Sequence, residues 1–236
     1  AFDLVTTFGL PLDVIYSELN EKGLKLDQDA YEKAYEKHRS VSRVVKSTSG
    51  AGGASDEKLA SSLKGLEATS FLGYEKMEDK GKVLKMFSQG DEVSEVKNND
   101  EFLLVCHQTP FYAESGGQAG DFGWVEAGSG KAEIVDTIKW EKIHLHKAKM
   151  TEGKMNIGEE VKLSVNKDTR VQTRNNHSAT HLLHSALHAV VGKHALQKGS
   201  AVNHERLRFD FQNNKALTEE EIEKIENIVN EWIREN

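Results

Sequence analysis

The stretch VLKMFSQGDEVSEVKNNDEFLLVC, residues 83–106, decides the fold. From about Phe71 the apolar residues recur with a period of two, the signature of half-buried strand. Within the stretch, residues 83–87, 92–96 and 102–106 read as short strands. Gln89-Gly90-Asp91 and Asn98-Asn99-Asp100 read as the turns between them. Downstream, residues 122–125, 132–138, 143–148 and 161–165 continue the series, with Ala127-Gly128-Ser129-Gly130 as a further turn. Several short strands with regular turns predict a small antiparallel barrel over residues 66–167.

Upstream of the strands the pattern is helical. Pro11 suits a first helical position, where its missing N–H costs nothing. Leu12, Ile15, Tyr16 and Leu19 follow at helical spacing, and Gly23 stands where a helix stops. Asp27 can cap a second helix that carries Tyr31, Ala34, Tyr35 and His38 and fades near Lys46. STSGAGGAS, residues 47–55, reads as a flexible linker. Asp56 can cap a short helix reaching Leu63. Beyond the barrel the classes mix. Residues 175–193 read as a helix, and residues 197–202 and 207–211 as strands. Thr218 and Glu221 form a capping box for a last helix, whose stripe is Ile222, Ile225, Ile228, Val229 and Trp232. The expected fold class is therefore α+β. Residues 1–46 are helical, 47–65 are linker and short helix, 66–167 are barrel, and 168–236 mix α and β. There is no internal repeat.

Composition narrows the classes. The chain has 236 residues, 37% hydrophobic and 29% charged, which suits one large or two small globular domains. Its single cysteine, Cys106, excludes a disulfide scaffold and any zinc site built from two thiolates of this chain. That usage fits a reducing compartment, and the cytoplasm is the expected location. No apolar run approaches the roughly 20 residues that span a bilayer, and the start lacks the pattern of a signal peptide. No membrane partner is expected. The net charge of −7 argues against a grip on nucleic acid over the whole surface. Between residues 160 and 212, however, eight Lys/Arg stand against four acids, a local basic excess that would steer a phosphate-bearing substrate.

That basic region contains NHSATHLLH, residues 176–184. His177 and His181 are four apart, so on a helix both rings leave one face a turn apart. Two imidazoles so placed can take one tetrahedral metal ion, or they are two polar residues on a helix with no ligand. His184 and His188 fall on nearly the same stripe. HExxH is missing, which excludes the protease arrangement with glutamate as base. No third ligand is evident. A second cluster, TPFYAESGGQAGD at residues 109–121, has glycines that permit close backbone approach to a ligand or simply turn a barrel corner. It is no Walker loop, because no Gly-Lys-Ser/Thr follows. A third, QKGSAV and RLRFDF, ends in a strand with Leu207, Phe209 and Phe211 on one face. Arg206 and Arg208 read as a solvated strand face.

Taken in order, FYAESGGQxGD, RxxHSATHLLHxAL, QKGSxV and RLRFDF resemble the alanyl-tRNA synthetase family. FGLPLD and the helical KGLKLDQDAYEKAYEKHR resemble the end of that family's tRNA-recognition region. The likeness covers essentially the whole chain and is weakest over residues 71–105. It implies a partner, tRNA(Ala), and an editing domain that hydrolyses tRNA(Ala) mischarged with serine or glycine. It implies Zn2+, with His177 and His181 as its first two ligands. By the same likeness Thr180 and Gln197 line the mischarged amino acid, and the loop from Glu114 to Gln118 packs close to it. The family's later CxxxH-type motif and its upstream ligation motif are not in the sequence. The expectation is an internal fragment with a partial α/β editing core and half of a zinc site, with ATP and Mg2+ used only by a ligase domain elsewhere. The competing readings are a freestanding trans-editing deacylase and a non-catalytic tRNA-binding module. The sequence does not give the oligomeric state.

Overall fold

The computed structural model describes residues 54–235, together with Leu26, Ala30, Tyr31 and Lys33. The chain divides into two compact units, residues 1–61 and 62–236. Of the two helices expected over residues 1–46, Ala30, Tyr31 and Lys33 are helical, and the rest lies outside the described residues. So does most of the expected linker, whose last two residues, Ala54 and Ser55, already belong to helix α1 (Ala54–Leu63). Among the described residues no helix is long and apolar enough to cross a membrane.

Six strands of the second unit close into an antiparallel barrel. They are β2 (Glu78–Ser88), β5 (Glu101–Cys106), β7 (Gly123–Ala127), β8 (Gly130–Trp140), β9 (Ile143–Asn156) and β10 (Glu160–Val165). Their neighbours run β10-β7-β8-β9-β5-β2, and β10 pairs back onto β2 with Val161 opposite Gly81. Closure buries the inward-facing residues of each strand. Val83, Met86, Leu104, Ile134, Met150 and Leu163 are essentially inaccessible and form one core. Each of these side chains is stabilised by roughly 1.5–3 kcal/mol through leaving water.

The expected single strand at 92–96 is instead two. β3 (Asp91–Glu92) pairs with β2, whereas β4 (Glu95–Lys97) pairs with β9. The chain changes partner between them, at Val93 and Ser94. Two further short strands, β1 (Ser70–Phe71) and β6 (Gln108–Thr109), pair in parallel outside the barrel.

Helix α2 (Lys167–Val190) starts well before the expected residue 175. Asn166 caps it, accepting from the Thr169 N–H at 3.3 Å. Its first two turns, KDTRVQTR, carry almost no apolar residues, so hydrophobic periodicity could not reveal them. It stops at Val190 rather than Lys193, and Gly192 follows with φ of 121°. β11 (Gln197–Val202) and β12 (Leu207–Phe211) form a hairpin over α2. Helix α3 (Glu219–Glu235) completes this layer, with Ile225 in a core with Ala186 and Leu187. The capping box is formed: the Thr218 N–H donates to the Glu221 carboxylate at 2.8 Å, and the Glu221 N–H donates to the Thr218 hydroxyl at 3.2 Å.

Candidate functional site

A cleft of about 150 Å³ lies between α2, the β11–β12 hairpin and the glycine loop. His177, Thr180, His181 and His184 line it from the helix. Gln197, Ser200 and Val202 line it from β11, Phe209 from β12 and Gly116 from the loop. It is smaller than the roughly 300 Å³ at which pockets for drug-sized ligands begin. An opening of this size suits a small polar group.

The loop reaches the cleft by binding the hairpin edge. The Ala119 N–H donates to the Val202 carbonyl at 2.9 Å, and the Val202 N–H donates to the Gly117 carbonyl at 2.8 Å. Gly117 has φ of 87°, and a Cβ there would lie 2.5 Å from the Ser200 carbonyl oxygen. Only glycine allows this approach.

The imidazoles of His177 and His181 stand 5.2 Å apart, centre to centre, tilted by 33°. The His177 Nδ1–H donates to the side-chain oxygen of Gln118 at 2.7 Å. The loop thereby fixes the tautomer and leaves the lone pair on Nε2. Thr180 is buried, and its hydroxyl donates to the Asn176 carbonyl at 2.9 Å, so that oxygen can only accept from a ligand. The Gln197 side-chain N–H donates to the Ser200 hydroxyl at 3.1 Å, which leaves its oxygen as a free acceptor. Asn176 ties the helix to the hairpin turn by donating to the Asn203 carbonyl at 2.8 Å.

Four of the six expected site residues, His177, His181, Thr180 and Gln197, meet around the cleft. Gln118 acts behind them, through His177. Glu114 is exposed, and its backbone N–H donates to the Thr137 carbonyl at 2.8 Å. Its carboxylate is not part of the cleft lining.

Two imidazoles, one already oriented, fit half of a tetrahedral zinc shell. Among the described residues no group of three or more His, Cys, Asp or Glu side chains is placed to hold a metal. His184 does not complete the set. Its ring packs 4.3 Å from that of His188 and 5.2 Å from that of Phe209, and both Nε2 atoms are buried without a hydrogen-bond partner.

Sequence reasoning missed the clamp beneath the site. Arg170, in the first turn of α2, forms a buried ion pair with Asp121, the last residue of the glycine-loop motif. The same guanidinium also donates to the Gly73 and Pro110 carbonyls, each at 2.8 Å. Asp121 also accepts from the Tyr112 N–H at 2.6 Å. The only signal in the sequence was that Asp121 ends the motif. Nothing local pairs it with an arginine 49 residues away. The basic excess noted above is partly neutralised in this way. Lys162 reaches Glu78 at 3.1 Å and Arg208 reaches Asp210 at 3.1 Å.

A family model described as tRNA synthetases class II (A) matches residues 1–169, and the chain belongs to that family. Over its whole length the chain is 43% identical to an alanine–tRNA ligase of Parvibaculum lavamentivorans. It is 41% identical to one from a Ruegeria species and 40% identical to one from Caldicellulosiruptor saccharolyticus, again over its whole length. The chain spans 27% of the length of each of these relatives. The family match ends in the first turn of α2, so the histidine helix is covered by the relatives and not by the family model.

Proposed function

We propose that this chain is the part of an alanine–tRNA ligase that hydrolyses wrongly charged tRNA(Ala), with the cleft beside His177 and His181 as the hydrolytic site. The observation that carries this reading is the bond from His177 to Gln118, which joins the glycine loop to the HxxxH helix on the wall of a small polar cleft. ATP- and Mg2+-dependent charging of tRNA(Ala) with alanine then belongs to other parts of the longer protein.

The need for a second site is physical. A synthetic pocket for alanine excludes serine poorly, because an added hydroxyl gives weak discrimination at an apolar wall, and glycine simply fits. A hydrolytic site with polar walls recognises the wrong amino acid instead. Here the Gln197 oxygen can accept from the serine hydroxyl or the ammonium, and Thr180 presents an oxygen that can only accept. Water attacks the ester carbonyl carbon and gives up a proton, and the bond to the ribose oxygen breaks with a proton delivered to that oxygen. The products are free serine or glycine and uncharged tRNA.

His177 and His181 would hold Zn2+ through Nε2, with the remaining ligands supplied from outside the described residues. When bound, the ion supplies positive charge that positions the substrate end and polarises water. Gln118 keeps His177 in the required tautomer, and the Arg170–Asp121 pair holds the loop that carries Gln118.

The test is deacylation of Ser-tRNA(Ala) and Gly-tRNA(Ala) by the full-length protein and its His181→Ala variant. Loss of both activities in the variant is expected. Wild-type clearance of both substrates by the variant would remove the cleft from the reaction.

A further inference from the structure

Tyr74 is 88% exposed, yet the turn that presents it is held by several hydrogen bonds. The Gly73 carbonyl accepts from Arg170 at 2.8 Å, and the Leu72 carbonyl accepts from both the Glu75 and Lys76 N–H groups at 3.1 Å. Leu72 itself donates to the Thr109 carbonyl at 2.9 Å. No side chain fits at Gly73, because a Cβ there would lie 2.2 Å from the Pro110 carbonyl oxygen and 2.5 Å from the Phe71 ring. That glycine lets the Phe71 ring fold back against Tyr74.

The rings form a stepped cluster. Phe71 meets Tyr74 edge to face at 5.0 Å and Tyr112 at 6.0 Å, and the His144 ring backs it at 5.5 Å. Packed aromatic pairs of this kind are usually interior features. Here the outermost ring is left open. A ring with a free surface on a fastened backbone turn is partly pre-organised for stacking, since less conformational entropy remains to be lost on binding.

Its position relative to the cleft defines the occupant. Tyr112 donates its hydroxyl to the Ser115 carbonyl at 3.3 Å, and Gly116, the next residue, lines the cleft. The aromatic step and the cleft therefore lie on either side of one short loop. Arg170 fastens both, through Gly73 on one side and Asp121 on the other. Lys139 and Lys142, both exposed, flank the step. Lys139 sits opposite His144 in the β8–β9 ladder, and the Lys142 carbonyl accepts from the Thr69 N–H at 3.0 Å. Neither makes an ion pair among the described residues.

We propose that Tyr74, backed by Phe71 and Tyr112, is a stacking platform for an unpaired nucleobase of an RNA strand whose 3′ end lies in the cleft. This rests on the hydrolytic reading above, and it names where the strand runs as it leaves that site. An aromatic face tolerates any base, because every base has a π-face, so the platform grips single-stranded RNA without reading its sequence. In the chain exposed Glu75 adjoins Tyr74 and exposed Glu141 adjoins Lys142, so stacking rather than charge carries the contact.

The experiment uses the 236-residue chain and two labelled RNA hairpins with the same stem, one with an unpaired 3′ overhang and one blunt, with binding read by fluorescence anisotropy. The wild-type chain should prefer the overhang hairpin. Tyr74→Ala and Tyr74→Leu should bind that hairpin about tenfold more weakly, the loss expected for one stacked base. Tyr74→Trp should bind at least as well as wild type, and affinity for the blunt hairpin should not change in any variant. Unaltered circular dichroism checks the fold. The proposal is overturned if the wild type shows no preference for the overhang, if Tyr74→Leu binds like wild type, or if both hairpins lose affinity equally. Failure of the underlying reading is separate. A Tyr74-dependent overhang preference in a protein that never clears Ser-tRNA(Ala) keeps the platform and removes the hydrolysis. Clearance that proceeds with no Tyr74-dependent binding does the reverse.

Discussion

His177 donates its Nδ1 proton to Gln118, 59 residues earlier in the chain, across 2.7 Å. One hydrogen bond thus makes a barrel loop part of a helical site. Gln118→Ala removes the acceptor, and the His177 ring is then free to rotate or change tautomer. Outer partners of a ligating histidine are worth about tenfold to a hundredfold in metal affinity. Zn2+ binding to the chain, measured by competition with a chromophoric chelator, should weaken about tenfold in Gln118→Ala. Equal affinities would mean that Gln118 does not orient the ring.

Zn2+ bound to the chain alone should be weak in any case, because two neutral imidazoles leave the ion half solvated. Dialysis against a chelator should strip it completely. Stoichiometric zinc surviving that treatment would mean that another residue completes the shell.

On the proposed reading, Gln197 bears on substrate choice. Its free oxygen can accept from a serine hydroxyl, and glycine offers no such group. In the full-length protein Gln197→Met should slow removal of serine about tenfold more than removal of glycine. That ratio corresponds to about 1.4 kcal/mol, within the range for one unmade hydrogen bond. Deacylation rates for the two charged tRNAs measure it, and equal slowing of both would reassign Gln197 to general support of the cleft.

Much of this was legible in the sequence, for identifiable reasons. The barrel strands show because apolar and polar residues alternate locally along them, as buried Val161 and Leu163 do beside exposed Glu160 and Lys162. The HxxxH pair shows because local spacing places both rings on one helix face, whereas Thr180 and Gln197 came only from the family resemblance. Residues 167–174 did not show as helix, because polar side chains carry no apolar period. The split of β3 from β4 did not show, because a change of pairing partner leaves no local pattern. The Arg170–Asp121 pair was invisible for the same reason: it exists only once the barrel and α2 are together.

That pair is buried on both sides, so removing one partner strands a charge. Arg170→Met should destabilise the chain by about 3–5 kcal/mol, the usual cost of an uncompensated buried charge. Urea unfolding measures it. Adding Asp121→Asn in the same chain should recover part of the loss, and a purely additive double variant would show that the two residues are not coupled.

His146 is fully buried, with its Nδ1–H donating to the Leu104 carbonyl at 3.0 Å and its Nε2 accepting from the Thr109 hydroxyl at 2.8 Å. Burial pushes its pKa down to about 4, below the ordinary value of 6.5. Above pH 6.5 the ring is neutral whether the chain is folded or unfolded. Between about 6.5 and 4 only the unfolded chain takes up the proton, so stability falls as pH falls through that window. The slope from this group is at most about 1.4 kcal/mol per pH unit. His146→Gln can keep both hydrogen bonds without titrating, and its urea midpoint should depend less steeply on pH than that of wild type. Parallel pH curves would assign the acid sensitivity to other groups.

The seam between β10 and β2 has a consequence for synthesis. Lys80 and Glu160, 2.7 Å apart across that seam, are 80 residues apart in the chain. A ribosome delivers β2 long before β10, so the cylinder stays open until Val165 has emerged. The Val165 N–H then bonds to Met77, and the next residue, Asn166, bonds to Phe122 and caps α2. The last stitch of the barrel is also the launch point of the histidine helix. In a growing chain the helix therefore leaves a finished scaffold in a set direction, and a nascent chain that stalled before Val165 would carry every glycine of the loop but no site for it to serve.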